Sequence, residues 1–283
     1  MRAAAIFGPG SSSRDLQPFQ HDSGITWLDT PSSAADAILL FGGDGTIHRH
    51  LSQLGQLQRP VLIVPTGSGN DFARSLGLRT IRDSLVAWRK FVSTNNNVRA
   101  IDLGTIAGPD HHATRYFSCV AGIGLDAEVA RRANAMPRWL RAHGGYALGL
   151  APALLHFVPV QTKIQTPQES DWTTHSVRPI LLAAFANTPY YGHGMKIAPR
   201  AQMDDGLLDA CIIACLNPFK LLCLFPTVYF GHHLSLKEVD YFQTRAARLE
   251  PEFPLDVYAD GEFVCRTPVE IGIEPGALQV IVG

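Results

Sequence analysis

Two glycine-rich loops, each placed directly after a short and wholly apolar run, constrain this sequence more than any other feature. The first, Gly42-Gly43-Asp44-Gly45-Thr46, follows Ala37–Phe41. The second, Pro65-Thr66-Gly67-Ser68-Gly69-Asn70-Asp71-Phe72-Ala73-Arg74, follows Val61–Val64. Ala3–Phe7, stopped by Gly8-Pro9-Gly10, is a third run of the same kind. Continuous apolar runs bounded by turn residues suit strands buried on both faces of a parallel sheet. Helical stripes lie between them: Ile47, Leu51 and Leu54, then Ile81, Leu85, Trp88 and Val92. Thr80 and Asp83 form a capping-box pattern that opens the second stripe. The alternation predicts a three-layer, Rossmann-like α/β domain over residues 1–100.

From residue 101 the rhythm changes. Val160–Gln165, Ile180–Ala186, Leu207–Ile213, Leu255–Ala259, Val269–Ile273 and Leu278–Val282 read as strands separated by Gly- and Pro-bearing turns. They predict a mainly antiparallel β-sandwich domain over residues 101–283. A helical segment over Leu125–Leu155 interrupts it, as does one from Pro218 to about Phe230, with Asn217 as N-cap. A chain of 283 residues is long for one hydrophobic core, which also favours two domains.

The chemistry is concentrated in the two loops. Glycines at a strand–helix turn let main-chain N–H groups approach an anion, and the helix N-terminus adds partial positive charge. Asp44 beside such a site would repel a phosphate unless it holds the metal ion that a nucleotide carries. In the second loop, Asp71 and Arg74 share a helix face at i, i+3. Two such loops, both after buried strands, fit the rule that parallel sheets bind ligands beyond the carboxyl ends of their strands.

These residues resemble the diacylglycerol kinase catalytic domain family, which includes bacterial lipid kinases and the sphingosine and ceramide kinases. The likeness continues through Gly122–Val129, through Gly192–Ala201 into Asp204–Asp209, and through Asp260-Gly261-Glu262. The resemblance implies an ATP-dependent, Mg²⁺-assisted lipid kinase with its nucleotide between the two domains. ATP would be bound by Gly42, Gly43, Asp44, Gly45, Thr46, Thr66, Gly67, Ser68, Gly69 and Asn70. Asp44 and Asp71 would hold the catalytic Mg²⁺, and Arg74 would face the lipid headgroup or the transferred phosphate. Asp260 and Glu262 would join Asp71 as catalytic residues, with Glu262 as proton acceptor. A structural Mg²⁺ would sit on Asp205 with the main-chain carbonyls of Gln202 and Leu207.

The sequence departs from that pattern after the first loop. Relatives carry Asn–Glu where this chain has His48 and Arg49. No C-terminal extension returning to the first domain is expected. The departure at His48 and Arg49 keeps open a non-catalytic lipid-binding relative, and the shared first loop keeps open a kinase of a soluble metabolite such as NAD. The balance of 24 basic against 25 acidic residues gives no basic excess for nucleic acid. Neither a signal peptide nor a membrane span is expected, so the expected location is cytoplasmic, with transient peripheral membrane contact. A basic amphipathic stretch, Arg131, Arg132, Arg138 and Arg141 around Met136, Trp139 and Leu140, is one candidate for that contact. The paired histidines His111-His112 and His232-His233 read as loop or surface residues. A homodimer is compatible with the sequence and is not specified by it.

Overall fold

The computed structural model describes residues 1–21, 24–108, 114–135, 153, 157–169 and 171–283. The first part runs β1 (Arg2–Phe7), α1 (Ser13–Leu16), β2 (Thr26–Leu28), β3 (Ala37–Gly42), α2 (Asp44–Leu57), β4 (Val61–Pro65), α3 (Asp71–Ser75) and α4 (Ile81–Thr94). Its strands pair in parallel in the order β2-β1-β3-β4. Every residue of β3 and of β4 is buried, as their unbroken apolar character requires. Leu51 and Leu54 of α2 and Trp88 of α4 are buried in the same core, so the helical stripes cover the sheet. The Thr80 capping box is formed: Thr80 Oγ1 accepts the N–H of Asp83, and Asp83 accepts that of Thr80.

The second part runs β5 (Val98–Ala107), β6 (Arg115–Phe117), β7 (Val120–Gly124), α5 (Leu125–Ala135), β8 (Val160–Gln168), β9 (Asp171–Ala186), β10 (Leu208–Ala214), α6 (Pro218–Leu224), β11 (Val239–Thr244), β12 (Ala246–Pro251), β13 (Asp256–Ala259), β14 (Glu262–Arg266) and β15 (Val269–Ile281). Its pairings are antiparallel. Its faces enclose a second core that includes Phe117, Ile123, Ile164, Phe185, Leu249 and Val257. Burying side chains of this size is worth about 1.5–3 kcal/mol each, so this core stands as a stabilising unit beside the first.

Several expectations need correction. Val269–Ile273 and Leu278–Val282 are one strand, β15, whose register against β5 shifts between Glu274 and Leu278. Pro275 and Gly276 read as a turn in sequence, but the shift accommodates them within the strand. The end of β15 then pairs in parallel with β4 at Val280 and Val61, and Val282 N–H donates to Asn97. The chain therefore does return to its first sheet, through its last strand. One mixed sheet of fifteen strands links both parts, and β5 runs across residue 100. The helix expected from Pro218 to Phe230 is α6 followed by a 3-10 stretch, Phe225–Phe230, with Pro226 interrupting the regular pattern. His233 is buried, with Nε2 3.0 Å from the Ile197 carbonyl, because the turn after Gly231 folds it inward. Arg131 and Arg132 both pair with Glu128, so the nearest acid lies one turn before the basic stretch. Residues 136–141 and the His111-His112 pair lie outside the described residues.

Candidate active site

The two glycine-rich loops lie back to back. A Cβ on Gly43 would fall 2.9 Å from the Gly67 Cα, so the main chains meet with no room for a side chain. Asp44, first residue of α2, bridges them. Its Oδ2 accepts the N–H of Asp71 and its Oδ1 that of Phe72, both at 3.1 Å. A carboxylate from the first loop thus caps the helix that follows the second. Asn70, the residue in the cap position of α3, turns its side chain the other way. It accepts from the Gly67 N–H at 3.0 Å and donates to the Gly67 carbonyl at 2.7 Å, holding the loop in its turn.

Asp71 is buried on the same side. Its Oδ2 accepts the main-chain N–H of His193 at 2.8 Å, and its Oδ1 lies 3.3 Å from the Arg74 guanidinium. Burial, then the neighbouring Asp44 charge, push its carboxyl up to about 6 despite Arg74. Asp44 is raised as well, first by burial. A buried and a half-buried carboxylate that resist ionisation together form a place where a cation would be stabilised. Their oxygens suit Mg²⁺, and each keeps a lone pair beyond the hydrogen bond it accepts. Thr66 adds a buried hydroxyl with no partner among the described residues.

The third component comes from the hairpin between β13 and β14. Asp260 occupies the left-handed region (φ 51°) and its side chain is wholly buried. Its Oδ1 accepts from Cys119 N at 2.8 Å and Val120 N at 3.3 Å. Its Oδ2 accepts from Ser118 N at 2.8 Å and Ser118 Oγ at 3.1 Å, and lies 3.1 Å from His48 Nδ1. Asp260 is therefore an anchor for the start of β7. Glu262, two residues on, stands over the first loop: a Cβ on Gly45 would fall 2.7 Å from Glu262 Oε1.

Between these parts lies a cleft of about 570 Å³. That volume is within the range of roughly 300–1,000 Å³ usual for small-molecule sites. Of the residues expected to act, Gly43, Asp44, Gly45, Thr46, Thr66, Gly67, Ser68, Gly69, Asp71, Asp260 and Glu262 line it. Gly42, Asn70 and Arg74 support the wall without lining it. Arg74 lies against Gly194 and 5.8 Å from the centre of the Tyr190 ring. The Gln202–Leu207 turn is elsewhere; there Asp205 Oδ1 accepts from Leu207 N at 3.0 Å and Oδ2 from Gln243 at 3.4 Å. Among the described residues no group of three metal-ligating side chains occurs.

The cleft also holds residues to which the sequence reading assigned no role. Asp126, in the first turn of α5, is half-buried in the cleft wall, and desolvation there pushes its carboxyl up to about 6 although Tyr191 hydrogen-bonds to it. Its signal was available: Gly124 ends a buried strand and an acid opens the next helix, the same pattern as at Asp44. Arg49, Asn134, Tyr191, His193 and Tyr258 complete the wall from four separate segments.

Comparison with known proteins agrees with this geometry. Residues 17–106 match the diacylglycerol kinase catalytic domain, and residues 119–282 match the YegS C-terminal NAD kinase beta sandwich-like domain. A diacylglycerol kinase of Mycobacterium tuberculosis is 36% identical over 262 residues, covering 92% of this chain and 81% of its own length. A diacylglycerol kinase of Bacillus subtilis is 27% identical over 237 residues, covering 83% and 74%. In fold, a diacylglycerol kinase crystal structure from Bacillus anthracis superposes with a TM-score of 0.70 at 18% identity, covering 100% of this chain and 97% of that one. With both domain matches in order along one chain and the acids of both halves meeting at one cleft, this protein belongs to the diacylglycerol kinase family of phosphotransferases.

Proposed function

We propose that the protein transfers the γ-phosphoryl group of ATP to the hydroxyl of a membrane lipid of the diacylglycerol or sphingoid type. The observation that carries this reading is Glu262 standing over Gly45, which brings a carboxylate of the second half to the N-terminus of α2. Main-chain N–H groups at Gly43–Gly45 and at Ser68 and Gly69 face the phosphates, where the helix N-terminus favours anions. Thr66 offers the same ligand a hydroxyl that has no partner among the described residues. Glu262 accepts the proton of the lipid hydroxyl as its oxygen bonds to phosphorus and the bond to the leaving ADP breaks. Asp260 holds the turn that carries Glu262. Arg74 acts through Asp71, which it orients.

Asp44 and Asp71 are the residues that would hold Mg²⁺, which neutralises phosphate charge when bound. A second ion at the Gln202–Leu207 turn, on Asp205 and two main-chain carbonyls, belongs to the same proposal. The substrate implies peripheral membrane contact from the cytoplasmic side. Among the described residues no helix is long and apolar enough to cross a membrane. Phe219, Leu222 and Phe230 are exposed and are available for that contact.

The test is transfer of label from γ-labelled ATP to diacylglycerol, monoacylglycerol, sphingosine, ceramide and phosphatidylglycerol in mixed micelles with Mg²⁺. A labelled lipid is the expected result. ATP binding without transfer to any of them, or transfer to NAD instead, would overturn the reading.

A further inference from the structure

His48 lies on α2, three residues after Gly45 and therefore on the same helix face. The helix meets the β13–β14 turn at both points. At Gly45 it lies under the Glu262 carboxylate, and at His48 it reaches Asp260, with Nδ1 3.1 Å from Oδ2. Asp260 offers lone pairs, so the ring takes the form with hydrogen on Nδ1 and donates. The other four donors to Asp260 all come from residues 118–120. Among the described residues, His48 is the one donor that comes from the first half of the chain. The pair is well shielded: the His48 side chain is 15% exposed and that of Asp260 0%.

We propose that His48 is a positioning residue for phosphoryl transfer: by donating its Nδ1–H to Asp260 it fastens the Asp260–Glu262 turn to α2 and sets where the Glu262 carboxylate stands over the first loop. The role in transfer rests on the kinase reading; the fastening itself does not. The surroundings agree. Burial opposes a charged ring, but the hydrogen bond and charge of Asp260 and the charge of Glu262 outweigh it, against Arg115, and the imidazole is raised above its ordinary range. An amide nitrogen of Asn at position 48 would stand the same number of bonds from the main chain as Nδ1. That of Gln would stand one bond further.

The test compares His48→Leu, His48→Asn and His48→Gln. Misplacing a reacting group by about 1 Å costs on the order of 100-fold, so His48→Leu is expected to lower kcat by roughly 10- to 100-fold. The KM for ATP should move by less than about threefold, since the phosphate loops are untouched. His48→Asn should recover most of the lost kcat and His48→Gln should not. Independently of activity, the His48 ring followed by NMR in the metal- and nucleotide-free protein should titrate above the ordinary histidine range. In Asp260→Asn it should fall, because burial then opposes the charged ring without the hydrogen bond and charge of Asp260. Wild-type kcat in His48→Leu, equal losses in the Asn and Gln variants, or a titration indifferent to Asp260→Asn would each overturn the proposal. Should His48→Leu fail to fold, the Asn–Gln contrast and the titration decide. Should the wild type phosphorylate no lipid, the kinase reading falls and the titration alone judges the fastening.

Discussion

Asp44 accepts the main-chain N–H of Asp71 at 3.1 Å, so the acid of one glycine-rich loop caps the helix that carries the acid of the other. The two residues that would hold a metal ion are thereby also the two that tie the loops together. Removing Asp44 should show both consequences. Asp44→Ala is expected to lose about 0.5–2 kcal/mol of unfolding free energy, the usual value of a helix cap, by urea denaturation. Asp44→Asn keeps one acceptor oxygen and should retain most of that stability while weakening Mg²⁺-dependent ATP binding by calorimetry. Unchanged binding in Asp44→Asn would remove Asp44 from the metal site.

Glu262→Gln should lower kcat by roughly 100- to 10,000-fold, the span of general-base contributions, and leave ATP affinity nearly intact. Gly45→Ala tests the same relationship from the opposite side. Its Cβ would meet Glu262 Oε1 at 2.7 Å, so the carboxylate must move. Loss of turnover with a folded, ATP-binding Gly45→Ala protein is the expected outcome; full activity would mean that the position of Glu262 does not matter.

Asp126 sets a pH dependence with a definite sign. Its folded carboxyl is held at about 6 by burial, against 3.8 for the free group. The folded state therefore binds the proton more tightly, and stability falls as pH rises from the free value to the folded one. Above that window the cost of the buried charge is fully present. Asp126→Asn should raise Tm at about pH 7.5 and leave it nearly unchanged at about pH 4, in the absence of Mg²⁺ and nucleotide. Equal effects at the two pH values would show that Asp126 ionises freely.

Phe219 and Phe230 are 79% and 70% exposed. Aromatic side chains at a surface favour the interface of a bilayer. Replacing both with Ser should reduce sedimentation with anionic vesicles and leave the melting temperature within about 2 °C, since surface changes cost little. Unaltered vesicle binding would direct attention to another surface.

Much of this protein is written locally. Ala37–Phe41 and Val61–Val64 have no polar face, so they form strands buried on both sides, and the glycines after them must form turns at the sheet's carboxyl edge. The Thr80 capping box and the stripe ending at Trp88 likewise depend on neighbours within two turns. For the same reason the place of Asp44 and Asp71 in the cleft was legible: each follows a strand whose end the sequence marks. Residues 269–282 were harder, because Pro275 and Gly276 carry a turn signal that the pairing of β15 with β5 overrides. Strands β11, β12 and β14 are short and partly exposed, and lack the apolar runs that identify the others.

The sequence by itself determined the α/β and β halves, the two loops and the types of side chain that the chemistry needs, because propensity, periodicity and turn preference act over a few residues. Only the tertiary structure decided that Asp44 caps α3, that Arg74 stands behind Asp71, that His48 meets Asp260 and that Glu262 stands over Gly45. These contacts join positions 27 to 217 residues apart, or depend on which way a side chain leaves a packed wall. Such distances are set by the sum of all the packing between them, which no local stretch of sequence records.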